Sequence, residues 1–179
     1  MNDKLIIELL KQSVDLLYKN DSYLIEHSVH EQDISHRIAY YFENLLNNYS
    51  WYKKSSFNVD VEYNKNFDDS KRVYSSCCNC CNCDNARCYI HQSSFYIDNY
   101  QSPCKPDIIL HERGSNDNNI LVIEIKKCNN ECKDDFAKLS AFTCNNSDYK
   151  YKMGIYINID NQPSYKYFKD GQEVDENAF

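Results

Sequence analysis

The sequence predicts an α/β fold in which a mixed central sheet is flanked by helices. Two segments have apolar residues at helical spacing, residues 4–18 and 34–46. Three later segments, 57–63, 105–127 and 152–160, have the alternation or the short apolar runs that are typical of strands. Helices and strands mixed in this order along a chain pack as layers around a hydrophobic core, which favours the α/β class.

Length and composition limit the number of domains and the cellular location that are expected. The 179 residues are enough for one α/β domain with its own core and too few for two, so a single domain over 1–179 is expected. Asp3 and Glu8 interrupt the N-terminal segment where a signal peptide would be basic and then apolar. No stretch approaches the roughly 20 consecutive apolar residues of a membrane-spanning helix. A cytoplasmic protein without a membrane partner is expected.

Two helices are predicted before the first strand. Within the N-terminal region 1–25, spacings of three and four residues, typical of an amphipathic helix, connect Leu5, Leu9, Leu10, Ser13, Leu16 and Leu17. The second helix has the same spacing at Ile34, Ile38, Tyr41, Phe42, Leu45 and Leu46. Asp33 or Ser35 is the candidate cap at its start, because short polar side chains accept hydrogen bonds from the free N–H groups of a first turn.

The first strand is predicted at 57–63, where apolar and polar residues alternate. Phe57, Val59, Val61 and Tyr63 are expected on one side. Residues 64–103 are interpreted as an irregular, Cys-rich insert with only a short candidate strand at 95–97.

A β-hairpin and three further elements follow the insert. The apolar runs at 105–111 and 120–127 are separated by a polar turn at 114–119 that contains Gly and Asn, which is typical of a hairpin. A helix at 134–142 and a strand at 152–160 come next. The chain then ends with a strand or tail whose turn falls at Lys169 to Gln172.

The second strand of the hairpin carries the residues with the clearest chemical meaning. Side chains alternate across a strand, so Glu124 and Lys126 share one face and Ile123 and Ile125 share the other. Asp107 follows Pro106, which suits the first residue of a strand. If the hairpin forms, Asp107 comes near Glu124. Two converging carboxylates suit Mg²⁺, which takes oxygen ligands and uses phosphate oxygens and water for the rest.

This pattern, Pro106-Asp107, sixteen intervening residues and then Glu124-Ile125-Lys126, resembles the PD-(D/E)xK nuclease superfamily. The resemblance extends in outline from Glu31 to Asp160. Small uncharacterised bacterial members of the superfamily look similar along the run KPDIILHERGSNDNNILVIEIKK. An Asp-x-x-Lys-Leu segment follows in the next helix, here Asp135 to Leu139.

The resemblance implies a fold and a set of roles. The fold is a restriction-endonuclease-like core. The metal, Mg²⁺ or Mn²⁺, would be held by Asp107, Glu124 and the carbonyl of Ile125, with Glu31 as a fourth member of the site. Lys126 would serve the attacking water, and the catalytic set would be Asp107, Glu124, Lys126 and Glu31.

Several polar residues near these positions have two readings. His36 and Arg37 lie one to two helical turns beyond Glu31; Arg37 could contact phosphate, or the pair could simply be exposed. Asp60, Glu62 and Lys138 could line the same cleft, although surface polarity explains each of them as well. The simpler reading of Glu124 and Lys126 themselves is a solvated pair on an ordinary strand.

Most of the ten cysteines fall within the insert, as CCNCCNCDNARC at 77–88. Pairs spaced as C-x-x-C can bind Zn²⁺. A tetrahedral zinc site normally uses two separated pairs, whereas these overlap, so a reduced loop is the favoured interpretation over a Zn²⁺ site.

The resulting hypothesis is a metal-dependent phosphodiesterase that acts on nucleic acid, DNA before RNA. The alternative is a catalytically inactive nuclease-fold module that binds protein or nucleic acid. The formal net charge of −7 disfavours an indiscriminate nucleic-acid binder, because backbone affinity comes mostly from Lys and Arg. An accessory subunit or a homodimer would help such an acidic chain to engage its substrate.

Overall fold

Four of the described α-helices precede the first strand, and the fifth lies in the second half of the chain. The computed structural model describes residues 2–27, 29–66, 69–74, 101–127 and 133–179. The described α-helices are α1 (Asp3–Asn20), α2 (Ser22–Glu26), α3 (Glu31–Leu46), α4 (Ser50–Lys53) and α5 (Lys133–Thr143), and a 3₁₀ turn covers Glu176–Ala178.

Six strands form one mixed sheet, and four shorter ones form two separate pairs. The strands are β1 (Phe57–Val61), β2 (Lys65–Asn66), β3 (Asp69–Ser70), β4 (Arg72–Tyr74), β5 (Gln101–Pro103), β6 (Ile108–Glu112), β7 (Leu121–Lys126), β8 (Met153–Asn158), β9 (Ser164–Lys169) and β10 (Gln172–Val174). The order in the large sheet is β1-β6-β7-β8-β9-β10, while β2 pairs with β3 and β4 with β5. The β7–β8 pair is parallel and its neighbours in the sheet are antiparallel. The predicted α/β class with a mixed sheet is therefore confirmed.

Each face of the sheet is covered by different helices. Leu121, Ile123 and Ile125 of β7 are buried in one core cluster with the apolar side chains of α1 and α3. Val122 lies in a second cluster, with Phe136 and other residues of α5. This division follows from the two-residue period of a strand, which sends alternate side chains to opposite faces. The even-numbered residues of β7 consequently face α5.

The predicted hairpin forms as β6 and β7. Its register pairs Ile108 with Ile123 and Leu110 with Leu121. Gly114 lies in the connecting turn with a φ of 76°, a left-handed conformation that glycine adopts without steric cost. This register fixes which residues of the two strands lie opposite each other at the open end.

Two details of the sequence prediction are wrong. The helix α3 begins at Glu31 with His30 at the cap position, and no side chain caps it. Ser35 instead donates to the carbonyl of Glu31 within the first turn, so neither Asp33 nor Ser35 is the cap.

The predicted strand at 57–63 is also too long. It ends at Val61, and Glu62 has a φ of 52°, which turns the chain. Tyr63 therefore packs against the α5 side of the sheet, while Phe57 and Val59 pack against the opposite core.

Part of the predicted insert consists of the short strands β2 to β5, and the candidate strand at 95–97 lies outside the described residues. In the described part of the chain, no helix combines the length and the apolar character needed to cross a membrane.

Candidate active site

The acid pair lies where β6 begins and β7 nears its end. Asp107 directly precedes β6, so continuing the β6–β7 register places it opposite Glu124. The Oδ2 atom of Asp107 accepts a hydrogen bond of 2.6 Å from the main-chain nitrogen of Ile125. The two predicted acids are thus brought together on the face of the sheet that α5 covers.

Glu124 is buried and Asp107 is partly buried, and removal from water changes the protonation of both carboxyl groups. Removal from water raises the pKa of Asp107 to about 6, although the Ile125 N–H and two nearby lysines favour its charged form. The side chain of Glu124 is only 2% exposed. Burial, together with the neighbouring Asp107 carboxylate, raises the pKa of Glu124 well above its usual range, while Lys138 opposes this shift. Ionising both acids is costly unless a cation compensates.

Lys126 follows Glu124 by two residues and lies near the same end of the sheet. Its Nζ atom donates to Oε2 of Glu31 at 2.8 Å and lies 3.7 Å from Oδ2 of Asp135. Burial alone would lower the pKa of Lys126, but the bond to Glu31 and the surrounding carboxylates raise it above its ordinary value. Lys126 is therefore a cation held between the first turns of two helices.

Glu31 is tied to the end of β7 through both of its carboxylate oxygens. Oε2 accepts from Lys126, and Oε1 accepts from the main-chain nitrogen of Lys127 at 3.1 Å. The ammonium of Lys127 donates in turn to the carbonyls of Leu24 and His27 at the end of α2. Glu31 thus reaches the candidate site through Lys126.

Two further residues of the site come from α5. The Nζ atom of Lys138 lies 2.6 Å from Oδ1 of Asp135 and 3.3 Å from Oε2 of Glu124. Asp135 is as buried as Glu124, with 2% of its surface exposed. The surface reading of Lys138 is therefore wrong. The spacing of Asp135 and Lys138 in the Asp-x-x-Lys-Leu segment was the only sequence signal for this pair, and it fits a surface ion pair equally well.

These contacts connect five side chains in a row of alternating charge, which Asp107 extends into an acid–lysine cluster. Along the row, Glu31 meets Lys126, Lys126 meets Asp135, Asp135 meets Lys138, and Lys138 meets Glu124. With Asp107 included, four carboxylates face two ammonium groups, so the fully ionised cluster carries two uncompensated negative charges. One divalent cation would balance them.

The site offers carboxylate oxygens, which suit a hard cation, but it lacks a complete set of metal ligands among the described residues. Within the described ranges, no three His, Cys, Asp or Glu side chains are grouped closely enough to hold a metal ion. Yet Oε1 of Glu124 is a buried carboxylate oxygen that receives no hydrogen bond from any described residue. Mg²⁺ commonly uses only one or two protein carboxylates and keeps several waters. Asp107 and Glu124 are thus the residues that fit such an ion.

Other polar residues considered from the sequence are engaged elsewhere. His36 is exposed. Arg37 binds Asp21 at 3.0 Å and donates to the hydroxyl of Tyr41, so it belongs to a link between α2 and α3. These contacts favour the structural reading of Arg37 over a phosphate contact.

Asp60 and Glu62 also have partners away from the acid pair. Asp60 binds His111 at 2.9 Å and also pairs with Arg113. Glu62 binds Lys105 at 2.8 Å.

The cysteine segment 77–88 lies outside the described residues, as do Cys128 and Cys132. The described cysteines Cys104 and Cys144 are both buried. Burial raises the pKa of Cys104, and the nearby Glu124 carboxylate adds to the shift. A neutral thiol is a poor nucleophile and a poor metal ligand, so Cys104 acts as a small apolar group beside the cluster.

No protein-family model matches this chain, and no curated protein or solved structure does so either.

Proposed function

We propose that this chain is a divalent-metal-dependent nuclease of the PD-(D/E)xK type, which hydrolyses phosphodiester bonds of nucleic acid, with DNA as the preferred substrate. The observation that carries the proposal is the pair of acids at one end of the β6–β7 hairpin, Glu124 buried and Asp107 partly buried, both with raised pKa values. Buried carboxyl groups with raised pKa values are costly for a fold and are concentrated at functional sites.

Four residues of the acid–lysine cluster have a role in this proposal. Asp107 and Glu124 hold Mg²⁺ or Mn²⁺, with the main-chain carbonyl of Ile125 as a further oxygen donor. When bound, the ion polarises the phosphoryl group and lowers the pKa of a water molecule. Lys126 orients the attacking water, and Glu31 holds Lys126 through the 2.8 Å ion pair. The ammonium group of Lys126 also offsets charge that accumulates on the phosphoryl oxygens during attack.

The test is cleavage by the purified chain with Mg²⁺, with Mn²⁺ and with a chelator, on single-stranded and double-stranded DNA and on RNA. Asp107→Asn and Glu124→Gln keep the size of each side chain while removing its charge. Each is expected to lower cleavage by roughly 100-fold or more, since several kcal/mol of transition-state stabilisation depend on the ion.

The matched control is Asp117→Asn, because Asp117 is an exposed carboxylate in the turn of the same hairpin. It is expected to cleave like the parent. Metal-independent cleavage, or equal cleavage by parent and both acid variants, would remove the acid pair from the reaction. Nucleic-acid binding without cleavage under every condition would instead support the non-catalytic binding module.

A further inference from the structure

The second lysine of the acid–lysine cluster, Lys138, has a direct contact with Glu124 of the acid pair. Lys138 lies 3.3 Å from Oε2 of Glu124, whereas Lys126 pairs with Glu31. Both lysines also lie near Asp135, so they share that partner and differ in the other one. Lys138 is the one that contacts a candidate metal-binding carboxylate directly.

Asp135 determines where the Lys138 ammonium lies. The two residues are three positions apart on α5, so they share one side of the helix, and Asp135 Oδ1 is 2.6 Å from the lysine. Asp135 is almost fully buried, and its other oxygen, Oδ2, has no hydrogen-bond partner in the described structure, although Lys126 lies 3.7 Å away. A buried carboxylate oxygen that accepts no hydrogen bond costs folding free energy, which favours a functional use for the charge of Asp135.

We propose that Lys138, positioned by Asp135, is a substrate-binding lysine of the hydrolytic site and contacts the phosphoryl oxygens of the nucleic acid. The inference rests on the proposed nuclease function. It adds a second ammonium group, from α5, to the one that the strand motif supplies. Asp135 is a positioning residue, because it acts through Lys138.

The position of Lys138 gives this proposal a signature with two opposite effects. Its positive charge lies beside Glu124 and opposes a divalent cation there, so removing that charge strengthens metal binding. The same change removes a cation that stabilises charge on the phosphoryl group, so it slows cleavage. A lysine that served only to hold α5 in place would not produce tighter metal binding together with slower turnover.

The experiment compares the parent chain with Lys138→Met and Lys138→Arg. Mn²⁺ affinity is measured by titration calorimetry without nucleic acid, and turnover is measured at saturating Mn²⁺. Lys138→Met is expected to bind Mn²⁺ about tenfold more tightly and to cleave about 100-fold more slowly. Lys138→Arg keeps the charge, so it should bind Mn²⁺ like the parent and recover much of the turnover.

The matched control is Lys133→Met, because Lys133 is an exposed lysine on the same helix. It is expected to change neither measurement. Asp135 is tested by a double-mutant cycle on turnover, since a residue that acts through Lys138 loses its effect once Lys138 is Met. Asp135→Asn should therefore slow the parent about tenfold and slow Lys138→Met by less than twofold.

The outcomes separate the two proposals. A parent chain that binds no Mn²⁺ and cleaves nothing overturns the nuclease function, and this inference with it. A parent that binds Mn²⁺ and cleaves, with a Lys138→Met variant equal to it in both measurements, overturns only the inference. Weaker Mn²⁺ binding in Lys138→Met would also overturn the inference, and so would additive effects on turnover in the double-mutant cycle. Either result would mean that Lys138 and Asp135 support the fold.

Discussion

The carboxylate of Asp107 accepts a hydrogen bond from the main-chain nitrogen of Ile125, 2.6 Å from its Oδ2 atom. Through this bond, the residue before β6 is fixed to the residue after Glu124. The position of one acid is thus set by the backbone that carries the other. The contact depends on the hairpin register, so a register shift of one residue in either strand would move Asp107 to the opposite face.

Burial of Asp107 predicts a stability gain when its charge is removed. Its pKa is raised to about 6 in the folded chain, from an ordinary value of 3.8. The cost of the buried charge is therefore fully present above pH 6 and fades as the pH falls toward 4. Asp107→Asn should raise the free energy of unfolding by about 2 kcal/mol at pH 7.5 in metal-free buffer.

Chemical denaturation at pH 7.5 and at pH 4.5 checks this prediction. The advantage of Asp107→Asn should shrink at the lower pH, where Asp107 is already protonated in the folded chain. Asp117→Asn, in the exposed turn, is the control and should show little difference from the parent. A variant that is less stable than the parent at pH 7.5 would show that the charge of Asp107 supports the fold.

The role of Glu31 is separable from that of a metal ligand. Both of its oxygens are bonded near the end of β7, to Lys126 and to the main chain of Lys127. Glu31→Gln keeps an oxygen for Lys127 and weakens the hold on Lys126. We expect turnover to fall about tenfold, with Mn²⁺ affinity changed by less than threefold.

Titration calorimetry together with cleavage assays measures both quantities for Glu31→Gln. The exposed neighbour Gln32 provides the control, as Gln32→Ala should preserve turnover. A loss of Mn²⁺ affinity beyond tenfold would restore Glu31 to the metal ligands, as the sequence resemblance implies.

Sequence periodicity was sufficient to place the residues of β7. Glu124 and Lys126 are two apart in a strand, and a strand returns to the same face every two residues. The polar turn between two apolar runs likewise predicts the hairpin that brings Asp107 to Glu124. Both inferences depend only on local geometry, which the order of residues determines.

The contribution of α5 could not be predicted in the same way. Asp135 and Lys138 look like an ordinary surface pair, because spacing shows that two residues share a side of a helix but not what that side meets. Their burial depends on how α5 crosses the sheet, which the packing of Phe136 and Leu139 decides. The misplacement of Tyr63 has a related cause, since the turn at Glu62 interrupts a polar and apolar alternation that looks continuous.

Lys71 is a buried lysine outside the acid–lysine cluster, and it predicts a second dependence of stability on pH. Its ammonium donates to the hydroxyl of Tyr151 at 3.0 Å and lies 5.3 to 5.4 Å from the ring centres of Tyr63, Tyr149 and Tyr151. Burial lowers its pKa from 10.5 to about 8. The cost of the charge is therefore fully present below pH 8 and is relieved between pH 8 and 10.5, where only the unfolded chain is protonated.

Lys71→Met should stabilise the fold by about 1 kcal/mol at pH 7, because an apolar chain of similar length replaces a buried charge. The advantage should decrease as the pH rises from 7 to 9.5. Lys152→Met, which changes an exposed lysine next to Tyr151, is the control in the same denaturation series. A destabilised Lys71→Met variant would mean that the hydrogen bond and the three aromatic rings outweigh the cost of burial.

Gly154 of β8 determines how closely α5 approaches the sheet. A Cβ atom at this position would lie 3.0 Å from Cγ2 of Thr143, 3.1 Å from Cβ of Phe168 and 3.4 Å from Cδ2 of Leu139. Two of these three atoms belong to α5, so an added methyl group would push the helix outward. Gly154→Ala should lower the free energy of unfolding by about 1 to 2 kcal/mol, as overpacked cores do.

The same substitution should reach the candidate site, because α5 carries Asp135 and Lys138. A Thr143→Ser change removes the Cγ2 atom and keeps the hydroxyl, which bonds to the carbonyl of Leu139 and to the nitrogen of Gly171. Combined with Gly154→Ala, the Thr143→Ser change should restore about half of the lost free energy of unfolding. The double variant should also have the Mn²⁺ affinity of the parent. Thermal unfolding and calorimetry of the single and double variants measure the coupling. Additive losses in the double variant would show that the fit between Gly154 and Thr143 does not set the position of α5.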